Sequence, residues 1–136
     1  MGLDVGQKRI GVSISDELGW TAQGVEVIRR TGSLQADLHR LAELIRRFEV
    51  GQVIVGLPKN MNGSIGEMGK ECQRFARQLE KAFDLPVKLW DERLSTRSAE
   101  RVLVQAEVSR RKRKQAIDKM AATLILQSYL DAQNRS

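Results

Sequence analysis

An unbroken apolar run, Val53 to Leu57, constrains the fold of this chain more than any other feature of its sequence. The run is continuous rather than alternating, and Pro58 ends it, which is typical of a central strand buried on both faces. Such a strand needs other elements above and below the sheet. The 136 residues are enough for one real core, so we expect residues 1–136 to form a single domain.

The remaining hydrophobic pattern predicts an α/β chain that begins with three strands. Spacings of three and four residues indicate amphipathic helices, and capping residues indicate where two of them begin. We therefore expect a mixed sheet with helices on both faces. The predicted elements are, in order, a hairpin over 3–15, a strand over 25–28, a helix with Ser33 as N-cap, the strand 53–57, a helix opened by a capping box of Ser64 and Glu67, a strand over 86–90, a short helix carrying Ala99, Val102 and Leu103, and a last helix over 117–129.

The charge of the chain favours a polyanionic partner. Lys and Arg number 23 against 17 Asp and Glu, which gives a net charge of +6, and residues 110–114 (RRKRK) are five consecutive cations. A solvated loop is the alternative interpretation of that block. Six aromatic residues supply few base-stacking platforms, so we expect contacts to the nucleic-acid backbone rather than to bases.

The cellular setting follows from a few absences in the sequence. The single cysteine, Cys72, excludes an internal disulfide and a multi-cysteine zinc site, and fits a reducing compartment. Apolar stretches are no longer than a strand and no signal peptide is evident, so we expect a cytoplasmic protein without a membrane partner.

Acidic residues stand at the edges of several apolar elements. Asp4 lies inside the first strand, Asp91 and Glu92 end the last strand, and Asp118 lies beside the apolar face of the last helix. Burying an isolated carboxylate costs several kcal/mol, so Asp4 needs a compensating cation or partner. Nearby, Gly6 and Gly11 fit a tight turn that a ligand or phosphate could approach closely.

These acids predict a site for a hard cation. Carboxylates that converge at a sheet edge repel one another, and oxygen-only clusters suit Mg²⁺ or Mn²⁺. The structural alternatives are a turn cap for Asp4, a surface ion pair for Asp91, Glu92 and Arg93, and a helix-dipole acid for Asp118. Strand alternation puts Asp91 and Glu92 on opposite faces, and we favour Glu92 as the one that points at Asp4.

Four segments in this order resemble the YqgF/RuvX family: residues 2–12 (GLDVGQKRIGV), 55–63 (VGLPKNMNG), 91–96 (DERLST) and 117–122 (IDKMAA). The resemblance spans nearly the whole chain. It implies a ribonuclease H-like fold related to Holliday-junction resolvases, with a mixed five-stranded sheet of three antiparallel strands followed by two parallel ones. It also implies a metal-dependent nuclease that trims the 5′ end of pre-16S rRNA during ribosome biogenesis.

The resemblance also implies which residues form the site. Resolvases of this fold take their second acid from the strand that is 53–57 here, and since that strand contains none, the acid must come from Asp91 or Glu92. The family's metal-binding and catalytic carboxylates match Asp4, Asp91, Glu92 and Asp118, and two further motif positions match Asn60 and Arg93. The expected nucleic-acid contacts are Lys8, Arg9, Asn60, Arg93, Arg110, Arg111, Lys112, Arg113 and Lys114.

Other functions remain open at this point. A non-catalytic RNA-binding assembly factor would keep the fold without cutting, and a resolvase would act on DNA junctions. The segment from Asp4 to Gly11 also resembles the phosphate-binding hairpin of actin-like ATPases, but those proteins need two such lobes and this chain is too short. We expect structured RNA rather than a DNA junction as partner, bound by a monomer or a weak homodimer.

Overall fold

Five strands form one sheet in the described part of the chain. The structure is a computed structural model that describes residues 1–94 and 110–134, without the side chains of 94 and 110–117. The strands are β1 (Gly2–Val5), β2 (Arg9–Ser15), β3 (Ala22–Arg29), β4 (Val53–Leu57) and β5 (Val87–Asp91), arranged in the order β3-β2-β1-β4-β5. The first three strands pair antiparallel, and β4 pairs parallel with both β1 and β5. The predicted mixed sheet is therefore confirmed.

Three longer helices and one short turn of helix complete the described chain. They are α1 (Leu34–Arg47), α2 (Glu67–Phe83), a 3₁₀ turn (Glu92–Leu94) and α3 (Arg110–Asn134). None of the described helices is both long and apolar enough to span a bilayer. The short helix predicted around Ala99, Val102 and Leu103 falls outside the described residues.

The two predicted helix caps have different outcomes. Ser33 caps α1 as expected, because its side chain accepts a hydrogen bond from the Ala36 backbone N–H at 3.3 Å. The capping box of Ser64 was wrong, since Gly66 is the N-cap of α2 and makes no side-chain cap bond. The Ser64 hydroxyl instead donates to Oδ1 of Asn62 at 2.6 Å and so closes the loop that precedes the helix.

Helices cover both faces of the sheet, as the buried central strand requires. All five residues of β4 are buried. The larger core lies under α1 and α2, and a second core under α3 contains Ile54, Ile125, Leu126, Tyr129 and Leu130. Trp90 joins the second core, where its ring meets Tyr129 edge-on at 5.4 Å between centroids.

The helix α3 approaches the sheet unusually closely along a track of glycines. A Cβ added at Gly2, Gly11, Gly24 or Gly56 would meet atoms of α3, in each case at 3.1 Å or less. A buried hydrogen bond holds the helix in place, because the Ser13 hydroxyl donates to the Ala122 carbonyl at 2.7 Å. This packing brings the first described side chain of α3, Asp118, over the hairpin of β1 and β2.

Candidate active site

Asp4 lies on the face of the sheet that α3 covers. It pairs across the ladder with Gly11, whose open side faces the backbone of Asp118 in α3. Residues directly opposite on neighbouring strands share a face, so the Asp4 side chain points toward that helix. Burial raises the pKa of Asp4, and the negative charge of Asp118 raises it further, while a hydrogen bond with Glu92 acts in the opposite direction.

Glu92 is the acid that reaches Asp4. It follows β5 and extends over Gly56 of the neighbouring strand, where an added Cβ would lie 2.9 Å from the Glu92 Cγ and would also meet the carboxylate. The space that a side chain at position 56 would fill is thus taken by the carboxylate of Glu92. Burial raises the pKa of Glu92 to about 8, helped by the charge of Asp4, the hydrogen bond to Asp4 and the charge of Asp91. The pair is therefore more stable with one shared proton than with both carboxyl groups negatively charged.

Asp91 is engaged elsewhere. Its Oδ2 accepts hydrogen bonds from Nη2 of Arg93 at 2.7 Å and Nε of Arg93 at 3.0 Å, and Lys59 Nζ lies 3.9 Å away. Hydrogen bonds from Arg93 hold the pKa of Asp91 below its usual value. The alternation of β5 explains the difference between the two neighbouring acids, since consecutive residues project to opposite sides of a sheet. Asp91 therefore pairs with the basic side chains of Arg93 and Lys59, whereas Glu92 forms a hydrogen bond with Asp4.

Asp118 lies near Asp4 but has a cationic partner of its own. Its Oδ2 accepts a hydrogen bond from Nε of Arg9 at 2.7 Å. Within residues 1–94 and 110–134, no three or more His, Cys, Asp or Glu side chains are arranged as one metal ion would need. The site as it stands is a half-buried pair, Asp4 and Glu92, with Asp118 beside it and bound to Arg9.

The predicted nucleic-acid contacts surround this pair unequally. Lys8 and Arg9 line an open pocket of about 320 Å³ at the turn between β1 and β2. Asn60 donates to the Ser64 hydroxyl at 2.9 Å in the loop after β4, and Arg93 lies beside the same loop, with its Nη1 3.9 Å from where a Cβ on Gly63 would be. The block 110–114 forms the first turns of α3, but its side chains lie outside the described set.

Sequence reasoning missed two supporting features of the site. Arg30 holds the turn before β2, because its Nη1 donates to the Gly6 carbonyl at 2.8 Å while its Nε pairs with the buried Asp37 at 2.9 Å. No local motif signals that long-range contact. The second feature is the role of Gly11. We predicted that it lets a ligand approach closely, but the atoms that approach it are the backbone of α3 at Asp118. A glycine inside a strand often marks such close backbone packing, so the sequence did contain the signal.

A family comparison fits this geometry. The family model described as "RuvX: Holliday junction resolvase" matches residues 1–132. The chain belongs to the RuvX family. Relatives of this RuvX-family chain include a protein of Desulforamulus reducens, 57% identical over 132 residues that cover 97% of this chain and 96% of the relative. A protein of Oceanobacillus iheyensis is 58% identical over 132 residues, covering 96% of each chain. Both relatives carry the name "Putative pre-16S rRNA nuclease".

Solved structures place the RuvX-family chain among the resolvase folds. Thermus thermophilus RuvC in complex with a Holliday junction superposes with a TM-score of 0.59 at 18% identity, over 99% of this chain and 94% of RuvC. The fowlpox virus resolvase, bound to Holliday-junction DNA, superposes with a TM-score of 0.55 at 12% identity, over 97% of this chain and 96% of the resolvase. At these identities the likeness shows the fold alone, and it confirms the ribonuclease H-like architecture.

Proposed function

We propose that this RuvX-family chain is a divalent-metal-dependent endonuclease that hydrolyses phosphodiester bonds in structured RNA, with the 5′ end of pre-16S rRNA as its substrate. The observation that carries the proposal is the half-buried pair of Asp4 and Glu92, in which the loss of contact with water raises the pKa of both groups. A carboxylate pair that is costly to charge in the free protein is stabilised once a cation neutralises it. Ribosomal precursor processing also fits a cytoplasmic location.

The residues present fit a Mg²⁺ or Mn²⁺ ion. The donors are all carboxylate oxygens, and Mg²⁺ commonly binds one or two protein carboxylates while keeping water and substrate phosphate as its other ligands. Asp4 and Glu92 would hold the ion, and Asp118 is close enough to influence the charge of Asp4. When bound, such an ion supplies activation of a water and stabilisation of developing charge in phosphodiester hydrolysis.

The chain itself binds and orients the nucleic acid around this pair. Lys8 and Arg9 offer cations at the hairpin turn, and the pocket beside them is open to solvent. On the other side, Asp91 holds the Arg93 guanidinium next to the loop that contains Asn60. Cations on two sides of a carboxylate pair can hold a phosphodiester backbone above it. Such phosphate contacts position the nucleic acid but do not recognise its base sequence.

We prefer RNA over a DNA junction because of the relatives' names. Proteins 57% and 58% identical to this chain are named for pre-16S rRNA, whereas the two structures with Holliday junctions described above are 18% and 12% identical to it. The RNA relatives are much closer in sequence. A pre-16S rRNA fragment is therefore the first substrate to test, with a four-way DNA junction beside it.

The decisive experiment compares neighbouring acids. We expect Asp4→Asn and Glu92→Gln to reduce cleavage of a labelled pre-16S rRNA fragment at least about 100-fold, since each removes a charge worth several kcal/mol to the transition state. Binding of the fragment should remain close to that of the parent protein. Asp91→Asn is the matched control, because Asp91 neighbours Glu92 but pairs with Arg93; it should raise KM and leave kcat within a fewfold of the parent value.

A non-catalytic RNA-binding assembly factor is the second candidate function. It is favoured by the pairing of Asp118 with Arg9 and by the lack, among the described residues, of three His, Cys, Asp or Glu side chains arranged for a metal. Tight binding of the fragment with no cleavage in either Mg²⁺ or Mn²⁺ would select this function. Cleavage by Asp4→Asn at the parent rate would reject the nuclease site proposed above.

A further inference from the structure

The ion pair of Arg9 and Asp118 joins two elements at the edge of the carboxylate pair. Nε of Arg9, the first residue of β2, donates to Oδ2 of Asp118 on α3 at 2.7 Å. The two side chains are 30% and 22% exposed, so water and solutes reach both. Both side chains are partly buried, so the pair is worth somewhat more than the about 0–1 kcal/mol of a fully exposed pair. A phosphate that offers two hydrogen bonds can still compete with Asp118 for Arg9.

The pocket next to this ion pair has the character of a phosphate subsite. It encloses about 320 Å³ and is lined by Gly6, Gln7, Lys8, Arg9 and Asp118. Among contacts to the described residues, Arg9 uses only its Nε–H, so the Nη groups are available to a ligand. Guanidinium groups bind phosphate through two parallel hydrogen bonds, which are stronger than a single contact to a carboxylate.

Asp118 cannot serve Arg9 and a metal ion equally well. The negative charge of Asp118 is felt at Asp4, so a cation beside Asp4 would be attracted by Asp118 as well. Arg9 neutralises that charge while the pair is intact, and a positive guanidinium at this distance also repels a metal ion. Removing Arg9 from Asp118 therefore strengthens the site for a cation.

We propose that Arg9 is a positioning residue that exchanges partners when nucleic acid binds. In the free protein Arg9 pairs with Asp118. When a backbone phosphate enters the pocket, the guanidinium pairs with the phosphate, and the freed Asp118 carboxylate would then be available to a divalent cation that Asp4 and Glu92 would hold. Nucleic acid and metal then bind with positive coupling. This inference rests on the proposed function and adds to it the order in which the site is assembled.

The first test measures Mn²⁺ binding by calorimetry without nucleic acid. We expect Arg9→Gln to lower the Kd for Mn²⁺ about fivefold or more, in the usual range of coupling between sites. The same substitution in an Asp118→Asn background should change the Kd less than twofold. Lys8→Gln is the matched control, because Lys8 lines the same pocket but forms no described contact with Asp118; its effect should be smaller and independent of residue 118.

The second test measures binding of a fluorescent RNA hairpin in EDTA, where no cleavage occurs. Asp118→Asn should tighten binding about fivefold or more when Arg9 is present and less than twofold in the Arg9→Gln background. A four-way DNA junction is titrated in parallel as the alternative polyanion. If Arg9→Gln fails to fold, Arg9→Lys replaces it. Lysine keeps the positive charge but lacks the planar guanidinium, so the same differences in RNA binding are expected with smaller magnitudes.

Two results would overturn the exchange of partners. One is an equal effect of Arg9→Gln and Lys8→Gln on Mn²⁺ binding, and the other is a tightening that persists when Asp118 is Asn. Either result would leave the proposed function intact if Asp4→Asn and Glu92→Gln still abolish cleavage. Unchanged cleavage by those two variants would reject the nuclease itself, whatever the Mn²⁺ titrations give.

Discussion

At the scale of single residues, Asp4 and Glu92 illustrate how burial prepares an acid for a cation. Asp4 comes from a strand interior and Glu92 reaches it from the end of another strand, across the open position at Gly56. Each group alone would be costly to bury in its charged form, and together they repel. The pair therefore destabilises the free protein, and under the proposed function a bound cation would remove that cost.

This pair predicts that the free protein loses stability as the pH rises. The folded-state pKa of Glu92, about 8, exceeds its ordinary value of 4.5, so between these values the folded protein holds a proton that the unfolded chain has released. By linkage, the free energy of unfolding falls with rising pH across this window, by at most about 1.4 kcal/mol for each pH unit. Thermal melts in EDTA from pH 5 to pH 8.5 measure the effect.

Two comparisons make that melting experiment specific. Glu92→Gln should flatten the decrease, because the variant has no proton to release at this position. Addition of Mg²⁺ should raise the Tm of the parent protein more at pH 8 than at pH 5.5, since metal and protons compete for the same oxygens. A decrease that is equally steep in Glu92→Gln would contradict the assignment of the titration to this pair.

At the scale of elements, the packing of α3 decides where the third acid lies. The helix follows a track of glycines across the sheet, and its backbone at Asp118 comes so near Gly11 that an added Cβ would lie 2.8 Å from the Asp118 carbonyl carbon. Backbone atoms cannot move aside as a flexible side chain can. The register of the helix on the sheet therefore depends on the absence of a side chain at position 11. The position of Asp118 relative to Asp4 depends on it as well.

Substitution Gly11→Ala tests this dependence. We expect it to destabilise the fold by about 1–3 kcal/mol, as overpacking commonly does, and to reduce cleavage because Asp118 moves away from Asp4. Gly51→Ala is the control, since an added Cβ there meets no atom within 4 Å. The control should be neutral or slightly stabilising through its effect on the unfolded chain. Urea denaturation and cleavage rates of both variants give the comparison.

The sequence predicted the elements well because each has a local pattern. The continuous apolar run of β4 and the Ser33 cap of α1 were sufficient to locate those elements. The predicted cap at Ser64 was wrong because the Ser64 hydroxyl bonds to Asn62 in the loop instead of capping α2. A capping motif in the sequence does not show whether a nearby side chain will compete for the hydroxyl.

The site was harder to predict, since its pairings are long-range. Alternation along β5 predicted that only one of Asp91 and Glu92 points at Asp4, without deciding which. In the structure Glu92 meets Asp4, while Asp91 pairs with Arg93. The pair of Arg9 and Asp118 joins residues 109 positions apart, and no local pattern predicts which cation a helix acid will meet.

At the scale of the whole molecule, positive charge and the carboxylate pair share one edge of the sheet. The hairpin turn with Lys8, the loop beside Arg93 and the part of α3 around Asp118 all lie toward the ends of strands where Asp4 and Glu92 meet. A basic rim around an acidic centre attracts the phosphate backbone while leaving the centre for a cation. The net charge of +6 is thus expected to act mainly through this edge.

The first turns of α3 provide the test of that expectation. We expect Arg111→Gln with Lys112→Gln to weaken binding of the RNA fragment and to reduce the slope of log K against log salt by about 0.7 for each phosphate that the variant no longer neutralises. The charge-matched control is Arg77→Gln with Lys81→Gln on α2, an exposed pair on the helix that covers the opposite face of the sheet. Fluorescence titrations at several salt concentrations measure both slopes. Equal weakening in the two double variants would mean that RNA responds to net charge alone, whereas weakening confined to α3 would place the backbone of the RNA along the edge that holds Asp4 and Glu92.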